Sequence, residues 1–348
     1  MQKNPSTYNF SQISGVRNVL FGIATLLIVA FHSVHLADAS SFSFINKITA
    51  GFLYYGNIGV DIFLFLSGVG LYYSFSKNRN VKTFYLRRGI RLLPALLLVL
   101  AAHNGLLFLM KKITFVRFLS NTLLLSFFID GDKGAWFFSL LIVLYLIYPA
   151  LHKVLEKHRS GGLVAVCTGV SAVAIALFIF NRKRFNMYEL ALMRVYVFVF
   201  GAWMGKIIKD KVSVRRAPVL IACAGVILCG LFTLWYFRAW LDMNRYVIRL
   251  IYCPLAIAIV MLFSMLIPKK KNALNTALIW IGGLSCEVYL LYERIDYFLF
   301  KKVSPFFPKS DFSFLYYVLL FAFTLACAFL LSKGCGIVQK KLSEKLKI

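Results

Sequence analysis

His32 and Asp61 are the side chains in this sequence best matched to proton transfer. A neutral imidazole held near a carboxylate becomes more basic and is fixed in one tautomer, which a general base acting on a hydroxyl requires. Both residues fall inside long apolar runs. An aspartate in hydrocarbon is costly and normally faces a partner or a water-filled cavity, so its presence there points to function. The competing reading of His32 is a packing histidine, and His103, in a third run, is ambiguous in the same way. Glu287 is a further ionisable group at a comparable level of a later run.

The second set is basic. In Phe84-Tyr-Leu-Arg87-Arg88-Gly-Ile-Arg91-Leu-Leu-Pro94, Arg88 and Arg91 are three apart and share one face of a helix start. Two guanidiniums so placed can clamp phosphate; the plain alternative is a cationic anchor at the membrane surface. The third feature is Gly56-Asn-Ile-Gly59-Val-Asp61-Ile-Phe-Leu-Phe-Leu-Ser67-Gly68. Its small residues either let helices approach closely or leave room for a slender substrate, and spacing does not separate the two.

Only a bundle of membrane-crossing helices can hold such groups. The chain has 348 residues, of which 60% are hydrophobic and 15% charged. With a mean hydropathy of +0.77 it is too apolar for a soluble domain of that length. Apolar runs long enough to cross lipid occur at 18–36, 52–75, 91–109, 136–152, 162–180, 188–207, 217–236, 247–267, 276–298 and 313–333. Residues 1–16 form no leader of the secretory type, so the chain is expected to be inserted and retained. The net charge of +27 does not imply nucleic acid, because Lys and Arg gather at the ends of the runs, where they suit an anionic leaflet. Seven cysteines without CxxC or Cys/His spacing read as small packing side chains, with no metal site.

An eleventh run, 118–129, is short and lies between Lys111, Lys112 and Arg117 on one side and Asp130, Asp132 and Lys133 on the other. If it does not cross and the N-terminus is inside, 24 of the 40 Lys and Arg fall on inner segments, as the positive-inside rule asks. The expectation is one all-α membrane domain over 1–348, a polytopic bundle of ten spans with both termini cytoplasmic. Residues 111–135 then form an outer re-entrant or interfacial segment. His32 would lie about 21 Å from the inner face and Asp61 about 13 Å from the outer, at similar depths.

Taken together these segments resemble the acyltransferase-3 family of integral membrane acyltransferases, whose bacterial members O-acylate cell-surface glycans. The resemblance runs through Gly22-Ile-Ala-Thr-Leu-Leu-Ile-Val-Ala-Phe-His32, the Gly56–Gly68 segment and Arg88…Arg91…Pro94. It continues in Trp136-Phe-Phe-Ser139-Leu, Leu144-Tyr-Leu-Ile-Tyr-Pro149, Arg194…Phe200-Gly201…Gly205 and Ile281-Gly-Gly-Leu-Ser-Cys-Glu287-Val-Tyr289-Leu. Each piece is weak alone; their order and spacing are specific. The family also has ten core spans.

The resemblance implies a single acyltransferase domain in a bacterial cytoplasmic membrane, with acyl-CoA, acetyl-CoA in the usual case, as donor substrate and no resident cofactor. The acceptor would be the hydroxyl of a surface or exported glycan, or of a lipid-linked one. It implies that His32 is essential, with Asp61 orienting or charge-balancing it, and that Arg88 and Arg91, with Ser67 and Gly68, belong to the donor side. Arg17, Trp136, Ser139, Arg194, Glu287 and Tyr292 would be supporting or acceptor-side residues.

The chain also departs from the family pattern. Phe21 stands where the family commonly has an Arg, with Arg17 one turn earlier. Leu141 and Ile142 occupy a stretch that often holds a Glu, and Tyr292 stands where the closing motif frequently ends in His.

Two other functions fit some of these features. A glycan flippase or proton-coupled carrier would also use polar groups at mid-depth, although no inverted repeat is visible. A catalytically inert family member would suit the departures. Replacing Arg88 and Arg91 separates transferase from carrier. A transferase loses acyl-CoA-dependent labelling of its acceptor in membranes, whereas a carrier keeps its substrate flux.

Overall fold

Long apolar runs dictate helices, because in hydrocarbon the backbone can satisfy its N–H and C=O groups only within the segment itself. The computed structural model describes residues 6–36, 54–268, 272–303 and 312–346; the basic segment Lys269–Lys271, one of the inner segments that make up the 24 of 40, lies outside them. The first helices are α1 (Ser11–Leu36), α2 (Ile58–Lys77), α3 (Val81–Leu109), α4 (Phe115–Thr122), α5 (Ser126–Asp130) and α6 (Trp136–Phe180). There follow α7 (Arg182–Leu192), α8 (Val195–Lys209), α9 (Arg216–Tyr236), α10 (Arg238–Met243) and α11 (Arg245–Leu266), then α12 (Ala273–Gly283), α13 (Ser285–Val303) and α14 (Phe312–Leu346). Two three-residue strands, β1 (Thr7–Asn9) and β2 (Ser213–Arg215), pair antiparallel.

Among the described residues nine segments are long and apolar enough to cross a membrane, and α12 with α13 makes a tenth as one span bent by 71°. These coincide with the ten runs read from the sequence, and the protein is an all-α polytopic bundle. One difference is the bend, which falls at Leu284 after Gly282-Gly283, where two poor helix formers weaken the ladder. Another is that α6 carries two spans, Trp136–His158 and Ser160–Phe180, with Gly162 close against the Val154 carbonyl.

The run 118–129 is divided between α4 and α5. Leu124, at φ 63°, occupies the left-handed region that a leucine rarely adopts, and the helix cannot continue through it. Thr114 caps α4 by accepting from the Arg117 N–H, and neither short helix can span lipid. In α4, Phe115, Phe118 and Leu119 fall on one side and Arg117, Ser120 and Asn121 on the other, the pattern of a helix lying in an interface.

The chain forms two compact units. The first comprises Met1–Leu20, Asp61–Tyr85 and Leu124–Lys271; the second comprises Phe21–Val60, Leu86–Leu123 and Asn272–Ile348. In the first, α2 and α8 approach through glycines: a Cβ on Gly68 would meet the Phe198 carbonyl, and one on Gly201 the Phe65 carbonyl. Here the small residues serve helix packing. In the second, Gly56 and Gly59 pack against the α1 backbone, and Gly22 of α1 packs against Leu278 of α12.

The first unit also holds the strand pair, where the buried Tyr8 bonds Ser264 of α11 at 2.7 Å. Burial pushes the Tyr8 phenol up to about 12, so it stays protonated.

These contacts predict a contrast between glycines. Gly201→Ala forces α2 and α8 apart, at about 1–3 kcal/mol, and should lower the melting temperature of the detergent-solubilised protein. Gly225→Ala, on α9 with nothing near its Cβ, should leave it unchanged or higher.

Candidate active site

The second unit brings His32 together with α13. His32 Nδ1 lies 3.2 Å from Oε1 of Glu293, with the two side chains 27% and 46% exposed. The next α1 residue, Ser33, donates to the Val29 carbonyl at 2.9 Å and therefore accepts from the Tyr292 hydroxyl, also at 2.9 Å. Tyr292 is itself buried in a core with Val29, Leu284, Val288, Leu320 and Ala328, and its ring centre is 6.4 Å from that of His32. Adjacent α13 residues thus hold adjacent α1 residues. An acid beside Nδ1 favours the tautomer with its proton there, which makes Nε2 the basic nitrogen.

The same unit contains Arg88, Arg91 and Glu287. Glu287 lies in the first turn of α13, where the positive end of the helix favours an acid, and the charge of Arg91 acts on it. Arg91 is exposed and Arg88, one turn before it, half-buried. The Gln339 amide donates to the Arg91 carbonyl at 3.1 Å, tying α3 to α14. His103 packs its ring on Tyr297 and Phe298, at 6.1 and 5.4 Å, the contacts of a packing histidine.

Asp61 is paired with Arg194. It belongs to the first unit, fully buried in the first turn of α2, and accepts from Arg194 Nε at 3.2 Å. Arg194, 1% exposed, sits in the break between α7 and α8. There it donates also to the Leu190 carbonyl at 3.1 Å, and its guanidinium lies 5.1 Å from the Trp136 ring centre. A second buried pair, Glu189 with Arg249, lies within electrostatic reach of the first. Two acids and two bases therefore balance inside one apolar unit. In place of the expected His32/Asp61 pair, each residue has a partner within its own unit: Asp61 bonds Arg194, and His32 lies beside Glu293.

The other expected residues divide similarly. Trp136 and Ser139 open α6 in the first unit, Ser139 1% exposed and bonded only to its own helix at Ala135. Arg17 lies over Gly70 of α2. Ser67 is half-buried, while Gly68, expected on the donor side, is occupied by contact with α8. Sequence reasoning missed Glu293, Ser33, Glu189 and Arg249. The signal for Glu293 was available: it is an acid inside a span, the same criterion that singled out Asp61.

A further polar set in the first unit joins Glu156 to the Tyr72 hydroxyl, to Arg79 at 3.4 Å and to Lys209 at 3.9 Å. Beside it, His152 stacks on Tyr72 and bonds Ser76 at 3.1 Å. Among the described residues no group of three or more His, Cys, Asp or Glu is placed to hold a metal.

Nine or ten apolar spans among the described residues, with a histidine beside a glutamate in one unit and two arginines opening a helix of the same unit, define an integral membrane protein. The acyltransferase-3 family model, described as an acyltransferase domain, matches residues 18–333, and the chain belongs to that family. It is a membrane acyltransferase. No curated protein and no solved structure matches it.

The Asp61–Arg194 geometry predicts a coupled loss of stability. Asp61→Ala leaves the Arg194 cation buried without its partner, at about 3–5 kcal/mol, and should lower the melting temperature clearly. Adding Arg194→Met should recover part of that loss in the same melting assay. Strictly additive losses would show that the two do not act as a pair.

Proposed function

We propose that the protein moves an acyl group, acetyl in the simplest case, from cytoplasmic acyl-CoA to a hydroxyl of a surface or exported glycan, with His32 as general base. The His32–Glu293 pair carries this reading, because it holds a basic nitrogen in fixed orientation and yet partly open to an incoming group. His32 Nε2 takes the proton of the glycan hydroxyl as its oxygen attacks the thioester carbonyl. The C–S bond then breaks, and the thiolate leaves with the proton returned from the imidazolium. One ester forms, one thioester is consumed, and the histidine is restored.

Glu293 is the positioning residue in this scheme, taking the part first given to Asp61. Arg88 and Arg91 hold the phosphates of the donor, and the positive-inside distribution supports placing them, with both termini, on the cytoplasmic side. Tyr292, fixed to Ser33 beside His32, bounds the acceptor side of the imidazole. The cell envelope of a bacterium, with the chain in the cytoplasmic membrane, suits donor and acceptor on opposite faces.

The test uses glycan mass analysis of a deletion strain and acyl transfer by protein in liposomes. Wild type should restore an acetyl mass and His32→Ala should not, with kcat down by about 10²- to 10⁴-fold. Glu293→Gln should lower kcat while leaving KM for acyl-CoA unchanged, and Arg88→Gln with Arg91→Gln should raise that KM. Restoration of the acetyl mass by His32→Ala would remove the histidine from the mechanism. If wild type alters no glycan's mass, O-acetylation of a glycan is the wrong reaction.

A further inference from the structure

The first unit carries an open groove of about 520 Å³ that the acyl-transfer reading does not use. Its walls come from α9, through Pro218, Ala222 and Val226, and from α11, through Pro254 and Met261, with Phe200 of α8 at its base. Every lining side chain is apolar. The small residues and prolines explain why a hollow persists there, since α9 and α11 present too little side chain to fill the space between them.

The groove has a defined polarity along its length. On α9 it extends from Pro218 to Val226 and on α11 from Cys253 to Met261, nine residues on each helix, whose ends lie about 12 Å apart along the axis. A single leaflet of hydrocarbon is about 15 Å deep. One end is pinned, where the Arg216 guanidinium donates to the Met265 carbonyl at 3.3 Å and its N–H to the Ser6 carbonyl. At that end Lys211 and Arg215 are both exposed, and among the described residues neither has an ion-pair partner. The segment 206–216 holds five cations and one acid.

An apolar slot one leaflet deep beneath a cationic rim matches one kind of occupant. We infer that this groove binds an anionic phospholipid of the leaflet on the Arg215 side, an acyl chain lying between α9 and α11 and the headgroup phosphate at Lys211 and Arg215. Lipid tails are as apolar as leucine, so the chain is held by packing and the headgroup charge selects the lipid. The inference does not depend on which acyl group the protein transfers.

The experiment is native mass spectrometry of the full chain, delipidated in detergent and then exposed to equal amounts of phosphatidylglycerol and phosphatidylcholine. Wild type should retain one phosphatidylglycerol at least fivefold more often than phosphatidylcholine. Ala222→Phe, which fills the groove from its exposed side, should abolish retention of that lipid. Lys211→Gln with Arg215→Gln should keep one lipid bound and lose the preference between headgroups. Equal retention of both lipids by wild type, or unchanged retention in Ala222→Phe, would overturn the proposal. Because the readout is bound lipid, its failure leaves the acyl-transfer reading untouched, and loss of acyl transfer leaves this one standing.

Discussion

A charge inside hydrocarbon must find its counter-charge within the protein, and this constraint organises both units. Asp61 and Arg194, 0% and 1% exposed, pair through Oδ2 and Nε in the interior, although Asp61 Oδ1 has no hydrogen-bond partner among the described residues. Breaking such a pair costs more than the pair contributes, because the surviving charge has no other partner. The chain meets the constraint locally. Arg194 falls where α7 gives way to α8, so it can also take up the Leu190 carbonyl, and the Trp136 ring lies against the guanidinium. The site is therefore a structural lock on the helices that carry Asp61, Arg194 and Trp136.

His32 and Glu293 are governed by the same constraint and resolved differently. Their exposures of 27% and 46% are those of a pair that still faces something outside itself. An imidazole and a carboxylate can rest as a neutral base beside an anion and change state during reaction, whereas Arg194 is always charged. Burial and side-chain type thus separate a pair that holds the fold from a pair able to turn over. That distinction is why the proposed mechanism uses His32 with Glu293 and leaves Asp61 to the fold.

Much of the architecture was legible because membrane helices are written in one dimension. Ten apolar runs sufficed to place the spans, but the bend after Gly282-Gly283 was not read from them. Partnership was not legible. Asp61 and His32 stand at similar depths on consecutive runs, and depth alone suggested that they meet. Which residue a side chain faces depends on helix rotation and neighbour order, which one sequence does not contain. Glu293 is 261 positions from His32, and Arg194 is 133 from Asp61. The glycines show the same limit: Gly68 suits a substrate channel or a helix contact equally until Phe198 is seen against it.

The departures from the family pattern are consistent with this economy of charge. Leu141 is buried, and a glutamate there would need a cation of its own in the interior. Phe21 places an apolar ring where the family has a cation, and its carbonyl accepts from the Thr25 hydroxyl within α1. Tyr292 is the more consequential change, because it lies beside His32 itself. A tyrosine hydroxyl can complete the Ser33 bond without carrying charge, so the imidazole keeps Glu293 as its ionic neighbour. A second histidine at 292 would compete with His32 for that carboxylate.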